Sequence, residues 1–345
     1  MVTLRKDQTD LIEEVADRYR NGQRSVLAQA PTGFGKTTTA SVLIRRALEK
    51  NKRVLFTAHL NAILSDTMDR LDEDLPGKVG RIQAGYPMNL DLPVQVGSIH
   101  TLLSRKLFPP ADLVIIDEAH HGVSSGYKEF ISNYPNSRIL GLTATPERSD
   151  GQPLGDIFES LVQGPTNKYL VSIGVLVPAV VFAPNQMKNC LSMDPYEAWR
   201  KYSKNRQSAF FMSNLKDAQE LHCKIGNSVL YTSETSDEDR RRIKRGIQSG
   251  EIRDLITVNA ILEGFDATAL DCIFLCRGFS SVSSMLQAIG RGLRACHLKE
   301  KKDCLVIDLV GSVLNFGLPE QERIWSINGK SAAHIVTETK LCICD

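Results

Sequence analysis

The chain has 345 residues, more than one ordinary core needs, and its length fits two domains of roughly 150 residues each. Hydrophobic residues make up 42% and charged residues 24%, the balance of a globular protein in water, and no apolar run reaches the roughly 18 residues of a membrane span. The polar start MVTLRKDQTD is not expected to be a secretory signal, and the eight Cys have no disulfide-framework spacing, so a reduced, cytoplasmic setting is expected. A net charge of only +2 excludes a chain-wide basic field and leaves any nucleic-acid binding to local patches.

From the N-terminus, short apolar runs alternate with helix-like stretches. Strands are predicted at 25–28, 54–57, 94–98, 113–116 and 138–143, with amphipathic helices at 37–50 and 60–71. Such alternation implies βαβ units, hence a parallel sheet with helices on both faces. Pro165, Pro178 and Pro184 loosen the pattern over 164–189, and the domain junction is placed near residue 185. The alternation then resumes, with strands at 208–212, 229–232, 255–258, 272–276 and 304–309 and helices at 236–249 and 282–293. The 236–249 helix opens on Ser-Asp-Glu-Asp, a capping-box pattern, and meets Gly250 at its end. The expected fold is α/β, with domains at 1–184 and 185–316 and a tail at 317–345 that the pattern does not assign.

Two stretches carry chemistry. Residues 30–37, APTGFGKT, follow a strand and open a helix, as a phosphate-binding loop does, with Ala30 in the place of the first Gly. Backbone N–H groups of the loop and of the helix start would face phosphates. Lys36 would reach the β/γ-phosphates, and the Thr37 hydroxyl would bind Mg²⁺. Pro31, Thr32, Gly33, Gly35, Lys36, Thr37 and Thr38 form the candidate ATP-binding set. The second stretch, ADLVIIDEAHH, is a buried-strand run that ends in two carboxylates. There Asp117 would hold Mg²⁺ and Glu118 would orient or deprotonate the attacking water. A solvated acidic turn is the plainer explanation of Asp-Glu, and the phosphate loop upstream on the same inferred sheet outweighs it. Later, Gln287, Arg291 and Arg294 recur at helical spacing. An Arg supplied from another domain can stabilise the charge that builds on a transferring phosphoryl group.

With DEAH in place, the chain resembles the superfamily 2 DExH-box helicases and translocases, in motif order from about residue 3 to 316. The resemblance implies two tandem RecA-like domains, each a mostly parallel sheet flanked by helices, and an ATP site divided between them. LRKDQTDLI resembles the adenine-recognition segment, where Arg5 and Gln8 would contact the base. LTATPERSDG matches the segment in which Thr143 and Thr145, with His120 of DEAH, would couple hydrolysis to domain movement. TVNAILEGFDA resembles the motif that holds nucleotide and nucleic acid, with Thr257, Gly264 and Asp266. QAIGRGLR matches Q-x-x-G-R-x-x-R, which makes Gln287, Arg291 and Arg294 the candidate catalytic set beside Lys36 and Glu118. Thr57, Ser98, Thr101, Ser233 and Thr257 are candidate nucleic-acid contacts by the same resemblance.

Within the superfamily, GLTATPERSDGQPLGDIFESLV, AILEGFDATALD and NFGLPEQERIWSINGK resemble the UvsW/RadD-like group and its phage relatives. This implies an ATP- and Mg²⁺-dependent motor acting on single-stranded or branched DNA, in a bacterial cell or phage-infected host. Gln287, and TAT where DEAD-box RNA helicases have SAT, favour DNA over RNA. Leu60 and His100 depart from the common pattern. Three other readings stay open: an RNA helicase, a motor subunit that needs a restriction or repair partner, and a nucleotide-gated binding protein. RRRIKR at 240–245 is the densest basic patch, and a solvated helix face explains it equally well. Cys342 and Cys344 are too few for a zinc site and read as a free tail.

Overall fold

The computed structural model describes residues 3–58, 61–121, 125–148, 151–183, 191–203, 205–258, 267–296, 300–329 and 334–335. The chain divides into two compact units, one built from Met1–Pro165 with Ile324–His334 and one from Thr166–Arg323 with Ile335–Asp345.

In the first unit the order is α1 (Lys6–Arg20), β1 (Ser25–Gln29), α2 (Lys36–Leu48), β2 (Val54–Ala58), α3 (Asn61–Asp74), β3 (Val79–Ile82), β4 (Val94–Ser98), α4 (Ile99–Ser104), β5 (Leu113–Ile116), α5 (Ser125–Ser132), β6 (Arg138–Thr143) and β7 (Ser160–Gln163). The seven strands form one parallel sheet in the order β3-β4-β2-β5-β6-β1-β7. Every residue of β1, β2 and β4 is buried, as expected of parallel strands covered on both faces. One face packs Leu27, Leu55, Val114, Ile116 and Ile139 against Tyr127, Phe130 and Tyr134. Segment 324–329, unassigned from sequence, belongs to this unit. Gly155 N–H donates to Ile327 O at 2.7 Å, and Ile327 packs on the same core.

The second unit runs α6 (Asn167–Ser172), β8 (Ala179–Phe182), α7 (Pro195–Tyr202), β9 (Ser208–Met212), α8 (Leu215–Ile225), β10 (Ser228–Tyr231), α9 (Asp237–Ser249), β11 (Asp254–Val258), β12 (Cys272–Leu275), α10 (Val282–Leu293), β13 (Cys304–Asp308) and α11 (Ser312–Phe316). Its six strands are again parallel, in the order β10-β11-β9-β12-β13-β8. Phe210 and Phe274 stack at 4.4 Å in a core shared with Ala198, Ala218 and Leu221 of α7 and α8. The ends of α9 follow the sequence signals: Ser236 Oγ accepts the Asp239 N–H at 3.1 Å, and Gly250 closes the helix in the left-handed region.

The division falls at Pro165 and Thr166, earlier than the junction near residue 185 read from the proline-rich stretch. The reason is β8, which pairs with β13 in the register Ala179↔Cys304 and so completes the edge of the second sheet. No helix among the described residues is long and apolar enough to cross a membrane.

Candidate active site

The loop after β1 is shaped by its backbone. Gly33 and Gly35 have φ of +90° and +97°, where a side chain is strained. At Gly35 the space is also closed, because a Cβ would lie 2.7 Å from Gln8 Nε2. Phe34, between them, is fully buried and anchors the loop. Its carbonyl accepts from Gln8 Nε2 at 2.9 Å and from Arg5 Nη2 at 2.9 Å. Asp7 in turn grips Arg5 through Nε at 3.0 Å and Nη2 at 2.8 Å. Arg5 and Gln8, expected to contact an adenine, are thus fixed to the loop itself. Asp7, which the sequence reading passed over, sets the guanidinium.

Helix α2 starts at Lys36 with no side-chain cap and no acidic residue in its first turn. With no side-chain cap and no first-turn carboxylate at the positive helix end, the N–H groups of that turn fit a phosphate. Pro31, Thr32, Gly33, Gly35, Lys36, Thr37 and Thr38 are all partly exposed. Lys36 Nζ donates across the loop to Ala30 O at 3.1 Å.

Asp117 and Glu118 follow β5. The Asp117 N–H extends the ladder to Thr57 O at 2.8 Å, and the Asp117 side chain is nearly buried. Glu118 takes φ +47°, an uncommon conformation for a Glu, and its N–H donates to Asp117 Oδ1 at 3.0 Å. His120 Nδ1 lies 3.4 Å from Glu118 Oε2 and 2.9 Å from Thr143 Oγ1. The Thr143 hydroxyl donates to Thr145 O at 2.8 Å and accepts the Thr145 N–H at 3.1 Å. With its one proton committed, Thr143 must accept from His120, so the network assigns the hydrogen to Nδ1. Gln29, a buried polar residue at the end of β1 after the apolar Val26–Ala28, donates to Ala144 O at 2.8 Å. That misplaced polarity is the sequence signal that would have found it. Burial first, and then the Asp117 carboxylate, push the Tyr127 phenol up, so it stays neutral beside the site.

Since β5, β6 and β1 are neighbours, Asp117, Thr143 and the phosphate loop share one C-terminal sheet edge. Parallel α/β sheets bind their ligands at that edge. Thr37 and Asp117 are the residues that would hold Mg²⁺ there, and the ion, when bound, neutralises phosphate charge.

In the second unit, Gln287 and Arg291 lie on α10 and are buried, while Arg294 stands at the helix C-cap, partly exposed. Gly292 lets the helix lie against the sheet, because a Cβ there would come within 2.5 Å of Cys304 Sγ. Gly264 and Asp266 lie outside the described residues, as do Cys342 and Cys344.

Two of the residues expected to contact nucleic acid are buried in this structure. Thr57 is fully buried and donates to Ile115 O at 3.1 Å, and Thr257 is 1% exposed. Both stand one residue before the end of a strand covered on both faces, which encloses their hydroxyls. Ser98 caps α4, accepting the Thr101 N–H at 3.1 Å, and its hydroxyl lies 2.7 Å from that of the partly exposed Thr101. Ser233 is exposed.

Residues 1–148 match the family described as type III restriction enzyme, res subunit, and residues 193–296 match the helicase conserved C-terminal domain. A 51.5 kDa protein of Lactococcus phage (isolate 7-9) is 25% identical over 324 residues, covering 87% of this chain and 68% of its own length. A Saccharomyces cerevisiae protein assigned as the ATP-dependent helicase IRC3 is 26% identical over 358 residues, covering 90% of this chain and 52% of its own. This chain thus spans between about half and two thirds of these relatives. Among solved structures, a fragment assigned to the HsdR subunit of a type I restriction enzyme from Vibrio vulnificus YJ016 superposes with a TM-score of 0.74 at 20% identity. It covers 93% of this chain and 67% of that one.

Proposed function

We propose that this chain is a superfamily 2 helicase, as its two matched domains support, and that it couples ATP hydrolysis to movement on or remodelling of DNA, branched DNA above all. The observation that carries the reading is the approach of Glu118 Oε2 to within 3.4 Å of His120 Nδ1, followed by the hydrogen bonds from His120 through Thr143 to Thr145. It joins the carboxylate assigned to water activation to the segment assigned to coupling, so a change at one end has a direct route to the other. Lys36 and the start of α2 would bind the phosphates, and Glu118 would hold and deprotonate the attacking water. Arg291 and Arg294 would meet the charge developing on the γ-phosphate oxygens. Arg5 and Gln8, through Phe34, would report an occupied base site to the loop. The match to a restriction-subunit family over 1–148 supports DNA as the track.

Steady-state ATPase rates with no nucleic acid, single-stranded, duplex and forked DNA and single-stranded RNA, at one fixed salt concentration, test the reading. Strong stimulation by DNA, greatest with the fork, is the expected result. Stimulation by RNA alone would replace DNA as the track. Stimulation by neither would point to a motor subunit that awaits its partner.

Basic side chains on α9 suit a phosphate backbone. Arg242 pairs with Asp239 at 3.0 Å, whereas the exposed Arg241 and Arg245 have no carboxylate within ion-pair distance among the described residues. Reversing both to Glu is expected to weaken DNA binding and to lower the slope of log affinity against log salt by about two, one per lost phosphate contact. An unchanged slope would make this a solvated helix face.

A further inference from the structure

Lys301 has no part in the motifs above, yet its ammonium gathers three backbone carbonyls. Nζ donates to Arg294 O at 2.8 Å, to Thr268 O at 3.0 Å and to Leu270 O. An ammonium has three protons, and three acceptors converge on this one. They come from two separate segments. Arg294 ends the helix that carries Arg291, and Thr268 stands two residues after Asp266 in the sequence.

Thr268 extends the junction to a third element. Its hydroxyl is in hydrogen-bond contact with the Gln248 amide of α9 at 3.1 Å and lies 3.7 Å from Cys296 Sγ. On the other side, the backbone around Arg294 is tied to 175–177. Val177 N–H donates to Leu293 O at 2.8 Å, and Ala295 N–H donates to Val175 O at 3.3 Å. Arg294 leaves the helix with ψ of 133°, so its carbonyl is not an intrahelical acceptor and Lys301 takes it instead. The end of the Arg-bearing helix is therefore gripped from both sides, and the Lys301 grip also holds the segment after Asp266.

We propose that Lys301 is a positioning residue for ATP turnover: it locks the end of α10 to the 268–270 segment, so that Arg291 and Arg294 are presented in a fixed register with that segment. This rests on the motor reading above. A displacement of about 1 Å in such a group can cost on the order of 10²-fold in rate, which gives a tether its leverage over chemistry it never touches.

The test is Lys301→Met, which keeps the unbranched stem and removes the donors, beside Lys301→Arg, which keeps charge and donors. Full-length proteins are compared for DNA-stimulated kcat, KM for ATP and Tm, with Lys36→Ala as control. Lys301→Met is expected to lose about tenfold or more in kcat with KM within twofold, and Lys301→Arg to retain at least a third of the wild-type kcat. Wild-type kcat in Lys301→Met, even with a lowered Tm, overturns the proposal and makes the contact a structural tie. Failure of Lys301→Arg to rescue, or parallel loss of kcat and ATP affinity, overturns it as well. Wild-type turnover that ignores DNA, or that survives Lys36→Ala, brings down the motor reading itself, a result distinct from a stimulated, Lys36-dependent rate that is indifferent to Lys301.

Discussion

Replacing Lys36 by Ala is expected to lower ATP turnover by about 10²-fold or more while leaving the first unit folded, because one preorganised charged donor at a reacting phosphate is worth roughly that factor. The expectation of an intact fold is specific. Lys36 is the first residue of α2, its side chain is partly exposed, and its bond to Ala30 O at 3.1 Å crosses the mouth of the loop. Ala is the best helix former, so the helix start is not weakened. The loop keeps its other fixings: Phe34 stays buried, and its carbonyl stays bonded to Arg5 and Gln8. Turnover and Tm measured on the same preparation decide the matter. A lost rate with a Tm near that of the parent places the ammonium at the phosphates, whereas a retained rate refutes the assigned site.

Much of this architecture is legible in the sequence, and the exceptions have physical causes. Strands 94–98, 113–116, 138–143 and 208–212 match the observed β4, β5, β6 and β9; of these, 113–116 and 208–212 are the most apolar runs. β3 (Val79–Ile82) and β8 (Ala179–Phe182) escape notice because each is four residues long and has Gly or Pro nearby. β7 (Ser160–Gln163) is half polar and sits at the sheet edge, pairing only with β1. At the site, motifs locate the loop and the acidic strand end, since glycine and carboxylate positions are constrained locally. They do not reveal which way a strand hydroxyl faces. Thr57 and Thr257 resemble backbone-gripping residues, and both are buried in strands covered on both faces. Lys301 is equally invisible, because its partners are backbone carbonyls, and a carbonyl leaves no residue-type signature.

Glu118→Gln separates binding from chemistry more sharply than any other single change at this site. The substitution preserves shape in a demanding place, a non-glycine residue at φ +47° whose N–H bonds Asp117 Oδ1. It also keeps an oxygen beside His120, whose Nδ1 now lies 3.4 Å from Glu118 Oε2. The His120 to Thr143 bond at 2.9 Å and the Thr143 to Thr145 bonds should therefore survive, along with the tautomer they assign. What the amide cannot do is take a proton from water. Loss of a positioned general base costs about 10²–10⁴-fold, so single-turnover hydrolysis should fall by that order while affinity for a fluorescent ATP analogue changes less than a few-fold. The variant would hold nucleotide and stay in the state that precedes hydrolysis, and DNA affinity measured in ATP would then report that state alone. Equal losses in affinity and turnover would make Glu118 a ground-state ligand. Unchanged turnover would mean that the base lies elsewhere, and the His120–Thr143–Thr145 run would then have no proton-transfer step at its origin.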